Sequence, residues 1–328
     1  MKPHAHNQTG DARAAQFTAE SLRGILLPCT TPFAADGRVD THALQRNLER
    51  WNETSVSGYV ILGSTGERVH LNEDEILEVV STARASVPTH MAFVVGVGRH
   101  STLESIADAR RAAEAGADAV LVITPHFYRA GMTQAALSNY YEQIADASPV
   151  PVVLYNIPQN TGVSLSVDTV ARLAAHANIV GIKDSSGDMV SFVELVGLVS
   201  DKFAVLTGHA SLLYAALSAG AQGAILAAAC AVPEVAVRIA RLVERGEHVE
   251  AREWQRKFTP FARAVTTRFG IGGLKHALDL CAYAGGFVRE PLSMPDEAAG
   301  REIARLLAEC RTTFETKRET LLAEGAVK

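Results

Sequence analysis

The chain has 328 residues, 48% of them hydrophobic and 20% charged, with a formal net charge of −5, the profile of an ordinary soluble globular protein. No basic stripe runs through it, which excludes nucleic acid and anionic membrane as natural partners, and no stretch approaches the roughly 18 uninterrupted apolar residues of a membrane span. The four cysteines, Cys29, Cys230, Cys281 and Cys310, form no C-x-x-C pair, which argues against a zinc cluster or a disulfide framework and suits a reducing, cytoplasmic compartment.

Residues 1–20, MKPHAHNQTGDARAAQFTAE, are polar, lack the apolar run of a secretion signal and read as a flexible N-terminal tail. His4 and His6 within it are read as binding nothing specific. Beyond the tail, apolar runs alternate with helical patterns. The runs are GILLPCT (24–30), GYVILG (58–63), AFVVGVG (92–98), AVLVITP (119–125), VPVVLYN (150–156), IVGIK (179–183), FAVLTG (203–208) and GAILAAA (223–229). Most are rich in Val, Ile and Leu on both faces, as parallel strands covered on both sides require. Between them, Leu44, Leu48 and Trp51 share one helix face at i, i+4, i+7. Ser101 with Glu104 reads as a capping box and Asn72 with Glu75 as a weaker one. Gly116 and Gly220 stand where helices end in the left-handed conformation, and Asp188 reads as the N-cap of the helix after the sixth strand.

Eight strand–helix repeats at intervals of roughly 20–35 residues predict an α/β fold, a (β/α)8 TIM barrel over residues 21–245. The competing doubly wound sheet would carry a Gly-rich loop after its first strand, where this chain has PCTTPF. From residue 230 the pattern is helical throughout, and residues 246–328 are expected to form a C-terminal helical region packed on the barrel.

In such a barrel the functional residues lie at the C-terminal ends of the strands. There stand GSTGE (63–67), TPHFYR (124–129), YNIPQNTG (155–162), Lys183 and TGHAS (207–211). An amine held in low-dielectric surroundings is driven towards its neutral, nucleophilic form, and such an amine forms a Schiff base with a ketone, an electron sink for C–C cleavage or formation. The bland reading of Lys183, an ion pair or a chain snorkelling to the rim, weighs about equally on position alone. Tyr155 ends the neighbouring strand and supplies a phenol for the proton transfers that this chemistry needs. The Ser64 and Thr65 hydroxyls and the backbone N–H groups of the GSTGE turn suit a carboxylate. Glu67 is read as facing the following helix, without a chemical role. GVGRHS (96–101) lacks the third glycine of a dinucleotide loop and reads as a plain turn. His126 and His209 have no second ligand at metal-like spacing, and H-E-x-x-H and G-x-S-x-G are both absent.

Taken together and in this order, GSTGE, TP-x-x-Y, YNIP-x-x-TG and GIKDSSG resemble the dihydrodipicolinate synthase and N-acetylneuraminate lyase family of class I aldolases, from about Ser21 to about Pro295. The resemblance implies a barrel with a C-terminal helical region, usually assembled as a homotetramer built from dimers. It implies that Lys183 forms the Schiff base with pyruvate or another 2-oxo acid, that Tyr155 shuttles protons, and that Ser64 and Thr65 hold the 2-oxo acid carboxylate, Thr65 also serving the proton relay. No metal and no organic cofactor are implied.

Two positions depart from the synthase pattern. Asn160 stands where the synthases carry an arginine for the carboxylate of aspartate semialdehyde, and an amide cannot replace a bidentate cation. Phe127 stands where they place a tyrosine that completes the relay of the neighbouring subunit, a role that falls to Tyr128 if anything fills it. The segments TPHFYRAGM, YNIPQNTG, GIKDSSGD and AVTTRFGIGGLKHALDLCAYAGG look most like 4-hydroxy-2-oxoglutarate aldolases, although Thr65 sits where animal enzymes of that type tend to have asparagine. On this reading Ser185, Asn160 and the turn at Gly208 contact the substrate. The expectation is therefore a lyase that splits 4-hydroxy-2-oxoglutarate into pyruvate and glyoxylate. The alternatives are 4-hydroxy-tetrahydrodipicolinate synthase, a sugar-acid aldolase or dehydratase of the same family, and a non-catalytic 2-oxo acid binding protein.

Overall fold

Eight short strands, β1 (Gly24–Pro28), β2 (Gly58–Ile61), β3 (Ala92–Val97), β4 (Ala119–Ile123), β5 (Val152–Asn156), β6 (Ile179–Asp184), β7 (Ala204–Thr207) and β8 (Gly223–Ile225), pair in parallel in chain order, and β8 closes on β1. The computed structural model describes residues 17–325, with side chains described as far as residue 311. A helix follows each strand: α1 (Thr41–Asn52), α2 (Glu73–Ser86), α3 (Thr102–Glu114), α4 (Gln134–Ala147), α5 (Val167–Leu173), α6 (Met189–Leu198), α7 (Leu213–Ser218) and α8 (Pro233–Glu244). The expected (β/α)8 barrel is the observed one.

Two apolar layers hold it. Inside the barrel, Leu26, Val60, Val94, Leu121, Val153 and Leu206 fill the interior, alternate residues of each strand pointing inward. Between strands and helices lies the second layer, to which Leu44, Leu48 and Trp51 of α1 contribute as their spacing required. Trp51 is fully buried and its indole N–H donates to the Cys230 carbonyl at 2.9 Å, so its polar atom is satisfied while its rings contribute roughly 1.5–3 kcal/mol.

Three local expectations change. Residues 17–20 are not tail: Phe17 and Ala19 are buried with Leu22 against the inner core, because the open end of a barrel needs apolar cover. Residues 1–16, His4 and His6 among them, lie outside the described residues. The eighth strand is short, since Ala227–Cys230 turns into a 3-10 helix; a run of alanines has little strand preference to extend it. The two capping boxes exchange strength. Asn72 and Glu75 bond reciprocally, at 3.0 Å each. The Ser101 side chain caps nothing; the Ser105 hydroxyl ties the incoming loop to the helix by accepting from the Arg99 N–H at 2.8 Å. Asp188 caps α6 through the N–H groups of Val190 and Ser191.

The C-terminal helical region comprises α9 (His248–Arg263), a π-helical turn (Ala264–Arg268), α10 (Gly270–Leu280) and α11 (Glu297–Gly325). Gln255 of α9 ties it to the barrel, accepting from the Tyr214 N–H at 2.8 Å and donating to the Ala210 carbonyl at 3.1 Å. Among the described residues, no helix is long and apolar enough to cross a membrane.

Candidate active site

Lys183 and Tyr155 are partners in register across β6 and β5, so their side chains leave the sheet on the same face. Both point inward above the apolar barrel core, and both are 4% exposed. The Lys183 Nζ lies 3.4 Å from the Tyr155 hydroxyl and 4.4 Å from the centre of its ring. On the far side of that hydroxyl, Ser64 Oγ is also 3.4 Å away. These are loose contacts, as catalytic hydrogen bonds commonly are before substrate tightens them. They form a line of amine, phenol and hydroxyl along which a proton can be passed.

Ser64 and the buried Thr65 sit in a 3-10 turn, Ser64–Gly66, immediately after β2. The Gly66 N–H donates to the Gly63 carbonyl at 3.0 Å and the Glu67 N–H to the Ser64 carbonyl at 3.2 Å. Glu67 then takes φ 53° and ψ 33°, a left-handed conformation that costs a residue with a side chain roughly 1–2 kcal/mol.

Below Lys183 the structure leaves a gap at Gly208. A Cβ there would lie 1.9 Å from Ser185 Oγ and 3.0 Å from Lys183 Cε, so the lysine stem and Ser185 occupy space that any other residue would claim. Asp184, one residue along β6 and therefore on the opposite face, accepts from Asn156 Nδ2 at 2.7 Å and from Ser186 Oγ at 2.7 Å. Burial raises its carboxyl above the usual value, and these two hydrogen bonds oppose the rise. Gln159 donates to the carbonyls of Ser185 and Ser186 at 2.8 and 2.7 Å, which fastens the YNIPQNTG segment over the lysine loop.

Tyr155 and Ser64 open onto a cavity of about 850 Å³, whose wall also includes Thr124, Asn160, Arg99 and His100. Lys183 does not line this cavity itself; it contacts Tyr155, which does. That volume suits a small-molecule site. Asn160 is exposed at the cavity wall. Tyr128 stands apart from the Lys183 cluster within the chain: it is 74% exposed and packs edge-on against Phe127 at 5.0 Å. His126 meets His100 edge-on at 4.6 Å. Among the described residues, no group of three or more His, Cys, Asp or Glu side chains is placed to hold a metal.

Sequence reasoning missed two features. Residues 96–100 are more than a turn, since all five line the cavity. Glu67 touches His70 of the 3-10 turn that follows it, but it also meets Lys275 of α10 at 2.6 Å, both side chains within 1% of full burial. Burial pulls the Lys275 amine down from its usual 10.5 to about 8, the Glu67 charge resisting. The available signal was a lysine set inside the apolar run GLKHAL, where a charge survives only with a partner.

A parallel barrel with an inward lysine and tyrosine at adjacent strand ends, beside a hydroxyl-bearing turn, has the layout of a lysine-dependent aldolase. The family model described as the dihydrodipicolinate synthetase family matches residues 21–310, and the chain belongs to that family. A 4-hydroxy-tetrahydrodipicolinate synthase of Xanthomonas campestris pv. campestris is 37% identical over 264 residues, 77% of this chain and 87% of the relative. The structure of the 4-hydroxy-tetrahydrodipicolinate synthase from Methylacidiphilum fumariolicum superposes with a TM-score of 0.86 at 29% identity, covering 91% of this chain and 99% of the other. A prophage protein of the dihydrodipicolinic acid synthase family from Escherichia coli, solved in complex with pyruvate, gives 0.82 at 29% identity over 88% and 98%. The chain is thus a lyase, a Schiff-base aldolase of this family. The relatives carry the synthase name, which was the alternative expectation and not the first one.

Proposed function

We propose that the chain joins pyruvate to, or splits it from, a carboxylate-bearing aldehyde, with Lys183 as the nucleophile. The observation that carries this reading is the line of Lys183 Nζ, Tyr155 Oη and Ser64 Oγ at successive distances of 3.4 Å. In this reading the Lys183 amine attacks the ketone of a 2-oxo acid whose carboxylate rests on Ser64 and Thr65. Tyr155 delivers the protons that let the carbinolamine lose water, leaving an iminium. In the cleavage direction the breaking C–C bond places its electron pair on the iminium, giving an enamine, while the γ-hydroxyl loses its proton and departs as aldehyde. Protonation of the enamine carbon and hydrolysis return pyruvate and the free lysine. Condensation runs the same steps backwards. Ser185 and the turn at Gly208 shape the floor beneath the lysine.

For the aldehyde, the names of the relatives support aspartate semialdehyde, and with it 4-hydroxy-tetrahydrodipicolinate synthase activity. A second reading rests on the likeness of TPHFYRAGM and YNIPQNTG to 4-hydroxy-2-oxoglutarate aldolases, with Asn160, an amide, where the synthases carry an arginine; it makes glyoxylate the aldehyde and leaves Arg68 and Arg99 as the guanidinium groups on the cavity wall. In either case we place the protein in the cytoplasm, in keeping with four free, buried thiols. We further propose a homo-oligomer, a dimer or tetramer, in which Tyr128 of one subunit completes the relay of its neighbour; the exposure of Phe127 and Tyr128, 71% and 74%, supports this.

Borohydride reduction with pyruvate, read by intact mass and peptide mapping, tests the central step. A reduced adduct on Lys183, lost in Lys183→Ala, is the expected result. No adduct while pyruvate binds by another measure would refute it. Turnover of pyruvate with aspartate semialdehyde, set beside pyruvate release from 4-hydroxy-2-oxoglutarate, then decides the aldehyde.

A further inference from the structure

The turn that carries Ser64 and Thr65 is held from behind by the C-terminal helical region. Glu67 Oε1 meets Lys275 Nζ at 2.6 Å in full burial. The same ammonium donates to the carbonyls of Thr31 at 2.8 Å and Phe287 at 2.5 Å. The second Glu67 oxygen accepts from the Arg289 N–H at 3.1 Å and lies 3.1 Å from His70 Nδ1. Thr31 closes the circuit, its hydroxyl donating to the Gly66 carbonyl at 2.7 Å. Gly66 and Glu67, the two residues that end the turn, are therefore anchored to β1's outgoing loop, to α10 and to the segment after it.

Two features set this pair apart from ordinary core packing. Glu67 holds a left-handed backbone conformation that a glycine would adopt freely, so its side chain is retained at a cost. A buried ion pair is also seldom more stabilising than apolar side chains of the same volume, and stability alone does not account for two charges here. What the pair supplies is direction. The carboxylate takes contacts from Lys275, Arg289 and His70, the ammonium from Glu67 and two carbonyls, and only one placement of the turn satisfies them all.

We infer that Glu67 and Lys275 are positioning residues: they fix the Ser64–Thr65 turn where the 2-oxo acid carboxylate is received, so that affinity for pyruvate depends on the C-terminal helical region. The inference rests on the Schiff-base reading above. It separates the two halves of the reaction, because the pair makes no contact with Asn160 or Thr124 on the same cavity wall, the residues to which this reading assigns the aldehyde.

The test is the pyruvate concentration that half-saturates borohydride trapping on Lys183, measured beside the aldehyde KM, kcat and the thermal midpoint. The proteins are the full chain and its Glu67→Gln, Lys275→Met and Thr31→Val variants. Half-saturation is expected to rise about tenfold to a hundredfold in the two charge variants, the scale of an ångström's misplacement. In Thr31→Val, which removes one hydrogen bond and buries no new charge, about threefold is expected. The aldehyde KM should change less than the pyruvate constant in each. If the charge variants do not fold, Thr31→Val carries the test alone. Folded variants with wild-type half-saturation overturn the inference, and so does a parallel rise of the pyruvate constant and the aldehyde KM with a falling thermal midpoint, the mark of a general loss of structure. Failure of the wild-type chain to trap pyruvate overturns the Schiff-base reading itself, and the inference with it.

Discussion

Gly208→Ala tests the tight slot beneath Lys183. The new methyl would stand 1.9 Å from Ser185 Oγ, 3.1 Å from Ser185 Cβ and 3.0 Å from Lys183 Cε. Carbon atoms in contact prefer about 3.5–4.0 Å, so the lysine stem must retreat by roughly 0.5–1 Å and the serine hydroxyl must turn away. Gly208 does not hold a left-handed backbone, so the effect is steric and not conformational. Overpacking of this kind costs about 1–3 kcal/mol, and moving a reacting amine by half an ångström or more lowers kcat by about tenfold or beyond. Pyruvate release and thermal unfolding, measured on the same preparation, separate the two effects. The Ser185→Gly/Gly208→Ala double variant removes both serine clashes and leaves only the lysine contact, so its thermal midpoint should recover while kcat stays low. Wild-type kcat in Gly208→Ala would refute the claim that this gap positions the lysine.

Tyr155→Phe keeps the ring beside Lys183 and removes the hydroxyl between the amine and Ser64; kcat should fall by about 10²–10⁴ while slow borohydride trapping persists, and loss of less than about tenfold would remove Tyr155 from the relay. Asn160→Arg places a cation where the synthases carry one, beside the Arg68 and Arg99 already on the cavity wall, and should raise kcat/KM for aspartate semialdehyde at least about tenfold relative to glyoxylate, the scale of a charge-assisted hydrogen bond; no change in that ratio would place the aldehyde carboxylate elsewhere. Tyr128→Phe should lower kcat in the assembled protein, and an unchanged rate would refute its part in a neighbour's relay. Burial lifts the Cys281 thiol from its usual 9 to about 11 and Cys310 to about 12, so the folded chain keeps protons that the unfolded chain releases above about pH 9. The stability these thiols contribute is full below that pH and is lost as pH climbs towards 11, by up to ~1.4 kcal/mol per pH unit for each. Lys275, pulled down to about 8, works in the opposite sense. The thermal midpoint of wild type should therefore fall further between pH 9 and 11 than that of Cys281→Ala/Cys310→Ala, and equal slopes would refute the assignment.

The barrel was legible because each element announced itself locally. Runs such as AFVVGVG and AVLVITP alternate with amphipathic helices, and parallel strands buried on both faces have little other way to look. Lys183 and Tyr155 were legible for a related reason: once the strands are numbered, their ends fall at the same mouth, and the register of β5 against β6 makes them partners. The Glu67–Lys275 pair was not legible. Glu67 lies next to residues with an evident role and Lys275 on a helix with an evident apolar face, and nothing local joins two such distant positions. Ser101 shows a different limit. Its spacing to Glu104 fits a capping box as well as that of Asn72 to Glu75, yet its side chain makes no capping bond, because whether the hydroxyl meets the first helical N–H groups is decided by backbone geometry that spacing does not carry. The aldehyde is the deepest gap, because its contacts come from loops whose side chains sequence periodicity does not order.

The anchoring of Glu67 also sets an order in time. Its partner Arg289 lies 222 residues further along the chain, which at 5–20 residues per second takes a ribosome roughly 10 to 40 s to synthesise. All eight strands will have emerged before that, and the barrel has most of what it needs to close. The receiving turn stays untied until α10 and the segment after it arrive, so the nascent protein acquires its shape first and its grip on the 2-oxo acid last. A chain stalled or cut short before residue 275 would be a barrel with the lysine in place and the carboxylate seat unset.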